Sequence, residues 1–222
     1  METTYPICKR CAFTGHRPKS FAWDYEDKSH PKHIDYLRRM EYFIEHAILH
    51  NHAEYFLCGS AMGADADFAE AVIRLRQKYP HIRLEIVEPY PSYGESYAEV
   101  HKKRYRAIIQ QADKVSNTSQ KFSPWCIATR NRYLINHSDM LIAAWNGLEE
   151  GGTYNTVNYA HKKKKHIHFL SLSLPKDKGT LDRLRFMLQE RDCSVLYEEQ
   201  ETNEDTYKLA KKAIEQARLN EK

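Results

Sequence analysis

Met140-Leu141-Ile142-Ala143-Ala144-Trp145 is six apolar residues in a row, and it runs through Asn146-Gly147-Leu148-Glu149-Glu150 into Gly151-Gly152-Thr153. A strand that is apolar on both sides, rather than alternating, needs cover on both faces, as in a parallel sheet inside an α/β domain. The glycines that follow open a helix. The same strand–glycine–helix rhythm extends in both directions. Upstream, Cys11 to Thr14 stops at Gly15, and Tyr55 to Cys58 stops at Gly59. Ile82 to Val87 alternates as a strand until Pro89 and Pro91, and Lys114 to Thr118 is a weaker candidate. Between them helical spacing runs from Pro31 to Asn51, through Ala69, Val72 and Ile73 to about Tyr79, from about Glu95 to Ala112 and from Pro124 to His137. Downstream, His166 to Leu170 is the next strand. Parallel strands require crossover connections, so this order predicts a Rossmann-like, doubly wound, mainly parallel sheet with helices on both faces. The pattern weakens after Leu174. Residues 1–174 therefore read as the main domain. Residues 175–222 read as an α/β extension packed on it, with helices around Leu181–Leu188 and Tyr207–Ala217 and a short strand Val195–Tyr197.

Composition bounds the function. The chain has 222 residues, a 41% hydrophobic share and eight glycines, which excludes collagen-like and disordered classes. Its longest apolar run is far short of the roughly 20 residues a membrane span needs. Thirty-four Lys and Arg against 30 Asp and Glu leave +4, too mild a balance to imply nucleic acid. An odd count of five cysteines and no apolar stretch after the N-terminal charges point to a reducing cytoplasm.

Six of the eight glycines, Gly15, Gly59, Gly63, Gly147, Gly151 and Gly152, fall after strands. In open α/β sheets that edge is where ligands bind. Glycine admits a close backbone approach, and a helix starting just beyond it aims free N–H groups and a positive dipole end at an anion. Gly59-Ser60-Ala61-Met62-Gly63-Ala64-Asp65 and Gly151-Gly152-Thr153 would each suit a phosphate. A tight turn alone explains either glycine group singly; the pair favours an anion site. Neither matches GxxxxGK[ST] or GxGxxG, which disfavours a P-loop ATPase and an ordinary dinucleotide dehydrogenase.

Ala12-Phe13-Thr14-Gly15-His16-Arg17-Pro18, Cys58 to Asp65, Arg130-Asn131-Arg132, Asn136-His137-Ser138-Asp139 and Gly151-Gly152-Thr153 occur in one order. Together they resemble the YpsA-like branch of the SLOG superfamily, which takes in the cytokinin-activating LOG enzymes and the Smf/DprA proteins. The resemblance spans about Cys11 to Leu170. It implies a nucleotide or nucleotide-derived, ADP-ribose-like ligand, in a sensor or a regulatory protein. It also implies ligand contacts at Thr14, Gly15, His16, Arg17, Gly59, Ser60, Gly63, Ala64, Asp65, Arg130, Asn131, Gly151, Gly152, Thr153 and Thr156. LOG enzymes hydrolyse a nucleotide's N-glycosidic bond with an Arg, matched by Arg130, and a Glu, whose position is Thr156 here. A neutral hydroxyl cannot stabilise an oxocarbenium-like state as a carboxylate does. Hydrolysis therefore ranks below binding, with Glu149, Glu150 or Asp65 as substitute acids. A DprA-like association with DNA is a further alternative.

The remaining candidates are weaker. Asp65, Asp67 and Glu70 read first as dipole partners of a helix start, with Asp65 also placed to accept from a ribose hydroxyl. Cys8 and Cys11 form a CxxC without the second pair a zinc site wants, so no metal is expected. Lys162 to Lys165 read as a solvated helix end, which leaves nucleic acid disfavoured. Tyr90, Tyr93 and Trp145 fall near strand ends, where a ring could stack on a base. The expected partner is a small nucleotide ligand, with no membrane; self-association is left open.

Overall fold

The computed structural model describes residues 6–172 and the backbone of Val195–Tyr197. Seven strands form one parallel sheet: β1 (Arg10–Gly15), β2 (Tyr55–Gly59), β3 (Arg83–Glu88), β4 (Lys114–Asn117), β5 (Met140–Trp145), β6 (His166–Ser171) and β7 (Val195–Tyr197). They lie in the order β4-β3-β2-β1-β5-β6-β7, and every neighbouring pair is parallel. The chain thus adds strands outward from β1 in one direction, then jumps back and adds them in the other. This is the doubly wound arrangement, with its reversal between β1 and β5, where Gly15 stands level with Ala144.

Among the described residues the α-helices are α1 (Pro31–His50), α2 (Ala64–Leu75), α3 (Glu99–Gln111), α4 (Cys126–Asn136) and α5 (Gly151–Lys162). Alternate residues of β5 point to opposite faces and enter two separate cores. Met140, Ile142 and Ala144 join the aromatic and aliphatic side chains of α1 and α2. Leu141, Ala143 and Trp145 join Leu134 and Ile135 of α4 and Val157 and Ala160 of α5. That is why β5 is apolar at every position. Burying a Leu or Ile fully is worth about 1.5–3 kcal/mol, so this strand anchors both layers. Phe13 of β1 stacks on Phe68 of α2 with ring centroids 4.3 Å apart, which fixes the start of α2 against the end of β1.

Local chemistry sets the boundaries. Pro31 opens α1, and the His30 ring accepts from Lys32 N as the cap. α3 starts later than its periodicity suggests, because Tyr93–Ser96 forms a separate 3-10 turn entered through Ser92 in the left-handed region. Val100 consequently faces solvent, and Ile108 is the buried residue of α3. β7 is the short strand expected at Val195–Tyr197; the other expectations for 175–222 lie outside the described residues. Among the described residues no helix is long and apolar enough to cross a membrane.

Candidate functional site

A cleft of about 810 Å³ opens over the carboxyl ends of β1 and β5, at the reversal of strand order. Thr14, Gly15, His16 and Arg17 form one wall, Asp65, Arg130 and Asn131 the floor, and Gly151, Gly152 and Thr153 the opposite wall. Ten of the residues expected from the sequence therefore meet in one place. Gly59, Ser60, Gly63, Ala64 and Thr156 do not line this cleft.

The two glycine turns have different occupants. At the first, the Arg130 guanidinium lies directly over Gly59: a Cβ there would stand 1.2 Å from Nη1 of Arg130 and 2.3 Å from Oδ2 of Asp65. Gly63 adopts φ +96°, and Ala64 N donates to His16 O at 3.1 Å. Ala61 N donates to Asp65 Oδ2 at 3.4 Å. The first N–H of α2 and the turn before it are thus bound by the protein's own oxygens. Ser60 turns away from the cleft and borders a small inner cavity of about 20 Å³ with Tyr97, Arg104 and Tyr105.

The second turn is open. Gly151 adopts φ +76° with nothing within 4 Å of where a Cβ would be, and the nearest atom to a Cβ on Gly152 is Asn131 Nδ2 at 3.8 Å. Glu150 precedes the helix without capping it through its side chain. Thr153 Oγ1 donates to Gly15 O at 3.1 Å, which locks α5 to the end of β1. Thr156 is 2% exposed, and its hydroxyl donates to Gly152 O at 2.8 Å, inside its own helix. Its side chain therefore supports the turn from behind.

Charge within the cleft is partly cancelled. Asp65 and Arg130 are 6% and 5% exposed and pair at 3.1 Å through Nη1 and Oδ2. Burial pushes the Asp65 carboxyl above its ordinary value, and Arg130 opposes that rise. The sequence reading of Asp65 as a dipole partner thus captures only part of its role. Asp67 and Glu70 likewise face Arg104, at 2.6 Å each, with the Tyr25 and Tyr36 hydroxyls also on Asp67. His16 pairs with Asn146 Oδ1 at 2.9 Å and so ties the two walls together; burial lowers its pKa, leaving it neutral at pH 7. Arg17 is exposed and donates to Tyr93 OH at 2.8 Å. Arg17 and Lys19 carry positive charge on one side, and the α5 dipole adds its positive end on the other.

The aromatic expectation is corrected. Trp145 is buried in the α4–α5 core, donating to Leu148 O. Tyr93 packs against Tyr90 and Tyr97, and none of Tyr90, Tyr93 and Trp145 lines the cleft. The apolar lining comes from Phe21, Ile127, Leu148 and Leu172 instead. Ile127 was legible in principle, since Ile127, Arg130 and Asn131 share one face of α4 by their spacing of three and four. Phe21 had no such signal, because the Pro18–Ser20 turn carries it back over the site.

Cys8, Cys11, Cys58 and Cys126 are buried free thiols, and burial raises the Cys11 thiol far above its usual range. Among the described residues no group of three or more His, Cys, Asp or Glu is arranged to hold a metal ion. α5 ends at Lys162 with Lys163 as its C-cap, and Lys165 donates to Ser138 O.

A family model named YpsA, described as the YspA SLOG family, matches residues 11–174. The chain is 30% identical over 131 residues to the uncharacterized SPbeta prophage-derived protein YoqJ of Bacillus subtilis strain 168, covering 54% of this chain and 76% of YoqJ. It is 25% identical over 188 residues to the UPF0398 protein YpsA of the same organism, covering 82% of this chain and 98% of that protein. A UPF0398 protein of Bacillus velezensis is 26% identical over 156 residues, 69% of this chain and 80% of its own length. The chain belongs to the YpsA family of SLOG proteins.

Proposed function

We propose that this SLOG-family chain is a cytoplasmic protein that binds a nucleotide or an ADP-ribose-like ligand across the cleft, as a sensor or regulator. The observation that carries this reading is the open N-terminus of α5 beside Gly15, where strand order reverses. Unsatisfied N–H groups and the helix dipole favour a phosphate at Gly151–Thr153, with Arg17 and Lys19 across from it. Phe21, Ile127 and Leu148 offer apolar cover to a base. Buried free thiols at Cys8, Cys11, Cys58 and Cys126 suit a reducing compartment.

Isothermal titration with AMP, ADP and ADP-ribose tests the reading. Saturable binding of at least one, at one site per chain, is expected. Heats no larger than dilution for all three would remove the nucleotide reading.

Hydrolysis stays as a second reading because a carboxylate besides the Arg130-paired Asp65, that of Glu150, lines the cleft beside the α5 start. The binding reading predicts no measurable release of adenine from AMP, since Thr156 is neutral and turned into its helix. Rapid release that Glu150→Gln abolishes would establish a hydrolase. A DNA-associated role has less support: exposed Arg74, Lys78 and Arg106 are each paired with a glutamate, so they do not present a bare basic face.

A further inference from the structure

The Asp65 carboxylate is more than the counter-ion of Arg130. Both of its protein contacts, from Arg130 Nη1 and from Ala61 N, fall on Oδ2, and the described residues give Oδ1 no hydrogen bond. Asp65 nevertheless lines the cleft. An ionised carboxylate oxygen is an acceptor only, so it calls for a donor on the ligand. A bare carboxylate would also repel the phosphate expected a short way off on α5. The neighbouring guanidinium cancels that charge while leaving one oxygen free. Gly59 is what allows the guanidinium to lie there, since any Cβ would occupy its place. The arrangement therefore offers an anion-binding end at Gly151–Thr153 and a neutral, fixed acceptor on the floor. A phosphorylated sugar with a hydroxyl beside its phosphate carries the complementary pair.

We propose that Asp65 Oδ1 accepts from a ribose hydroxyl, so that the cleft discriminates ribonucleotides from their deoxy counterparts. This rests on the nucleotide reading above. Acidic side chains accept ribose hydroxyls in other nucleotide-binding α/β sheets, and an acceptor left unpaired by the ligand loses a charge-assisted hydrogen bond.

The test is calorimetric titration of the wild-type chain with AMP and with ADP-ribose, each beside its 2′-deoxy and 3′-deoxy analogues. One of the two deoxy analogues should bind about 10- to 100-fold more weakly than the parent, and which one it is identifies the hydroxyl. Parent and both analogues binding alike would overturn the role of Asp65 and leave the nucleotide reading intact. No binding by any of these compounds would overturn both. Asp65→Asn keeps the shape and one acceptor for Arg130; it should bring the ribonucleotide down to the affinity of the weaker deoxy analogue. If the variant folds and still discriminates, the proposal fails. If it does not fold, the wild-type ratio decides alone.

Discussion

The turn at Gly59–Asp65 and the turn at Gly151–Thr153 follow one recipe, a parallel strand, glycines and the start of a helix, yet they end in opposite states. At the first, a guanidinium occupies the space over the glycine, a carboxylate accepts from the turn, and a carbonyl of the β1 loop accepts from the helix start. At the second, the glycines face open space. Glycine is thus required for two different reasons. In one turn it makes room for the protein's own ion pair; in the other it supplies a positive φ and an accessible backbone. A glycine-rich turn in a sequence does not say whether its guest is a ligand or another part of the same chain.

Substitutions should separate the two states, and the largest effect belongs to the filled turn. In Gly59→Ala the new methyl would displace Arg130 from Asp65, and breaking a buried pair costs about 3–5 kcal/mol. Urea denaturation should show that loss; a change under about 1 kcal/mol would mean the pair can sit elsewhere.

Arg130→Met attacks the same pair from the other side and adds a dependence on pH. The folded-state pKa of Asp65 is raised, so the folded form holds its proton more tightly than the unfolded chain does. Its contribution to stability is therefore best in acid and is lost as pH rises through the folded pKa. Without the opposing guanidinium the rise is larger. The stability gap between wild type and variant should therefore widen as pH rises above the ordinary carboxylate range. Denaturant midpoints that keep a constant gap would show that Asp65 finds another partner.

The open turn should respond mildly. Gly151→Ala meets no atom but must hold φ +76°, which costs an L-residue about 1–2 kcal/mol. Gly152→Ala, with 3.8 Å to its nearest neighbour, should stay within about 0.5 kcal/mol. A loss at Gly152 comparable to that at Gly59 would erase the distinction between the turns.

The sheet was largely legible because burial on both faces writes itself into Met140–Trp145, and glycines mark where parallel strands end. The meeting of Gly15 and Gly152 was legible for the same reason, whereas Gly59, expected beside them, is covered by Arg130 and does not line the cleft. What stayed hidden depends on partners far apart in the chain. Nothing local at Asp65 says that residue 130 will reach it, and Arg104 collects Asp67 and Glu70 from another helix altogether. Trp145 misled because a residue at a strand end can point into a core as readily as over the edge. The start of α3 misled because the Tyr93–Ser96 turn takes up the residues that would have begun that helix.

The reversal of strand order has a consequence for how the molecule assembles. β1 pairs with β2 across the single crossover that carries α1, joining Arg10 to Tyr55, but its register with β5 joins Cys11 to Met140. Long-range pairings require a large loop to close before any contact repays it, and they slow folding accordingly. The four strands β1 to β4 are consecutive in sequence and adjacent in the sheet, so they can zip up by nearest-neighbour steps. The cleft needs both sides of the reversal. It comes into being only when the second half of the chain docks on the first, and a nascent polypeptide that has not yet completed β5 has half a sheet and no site.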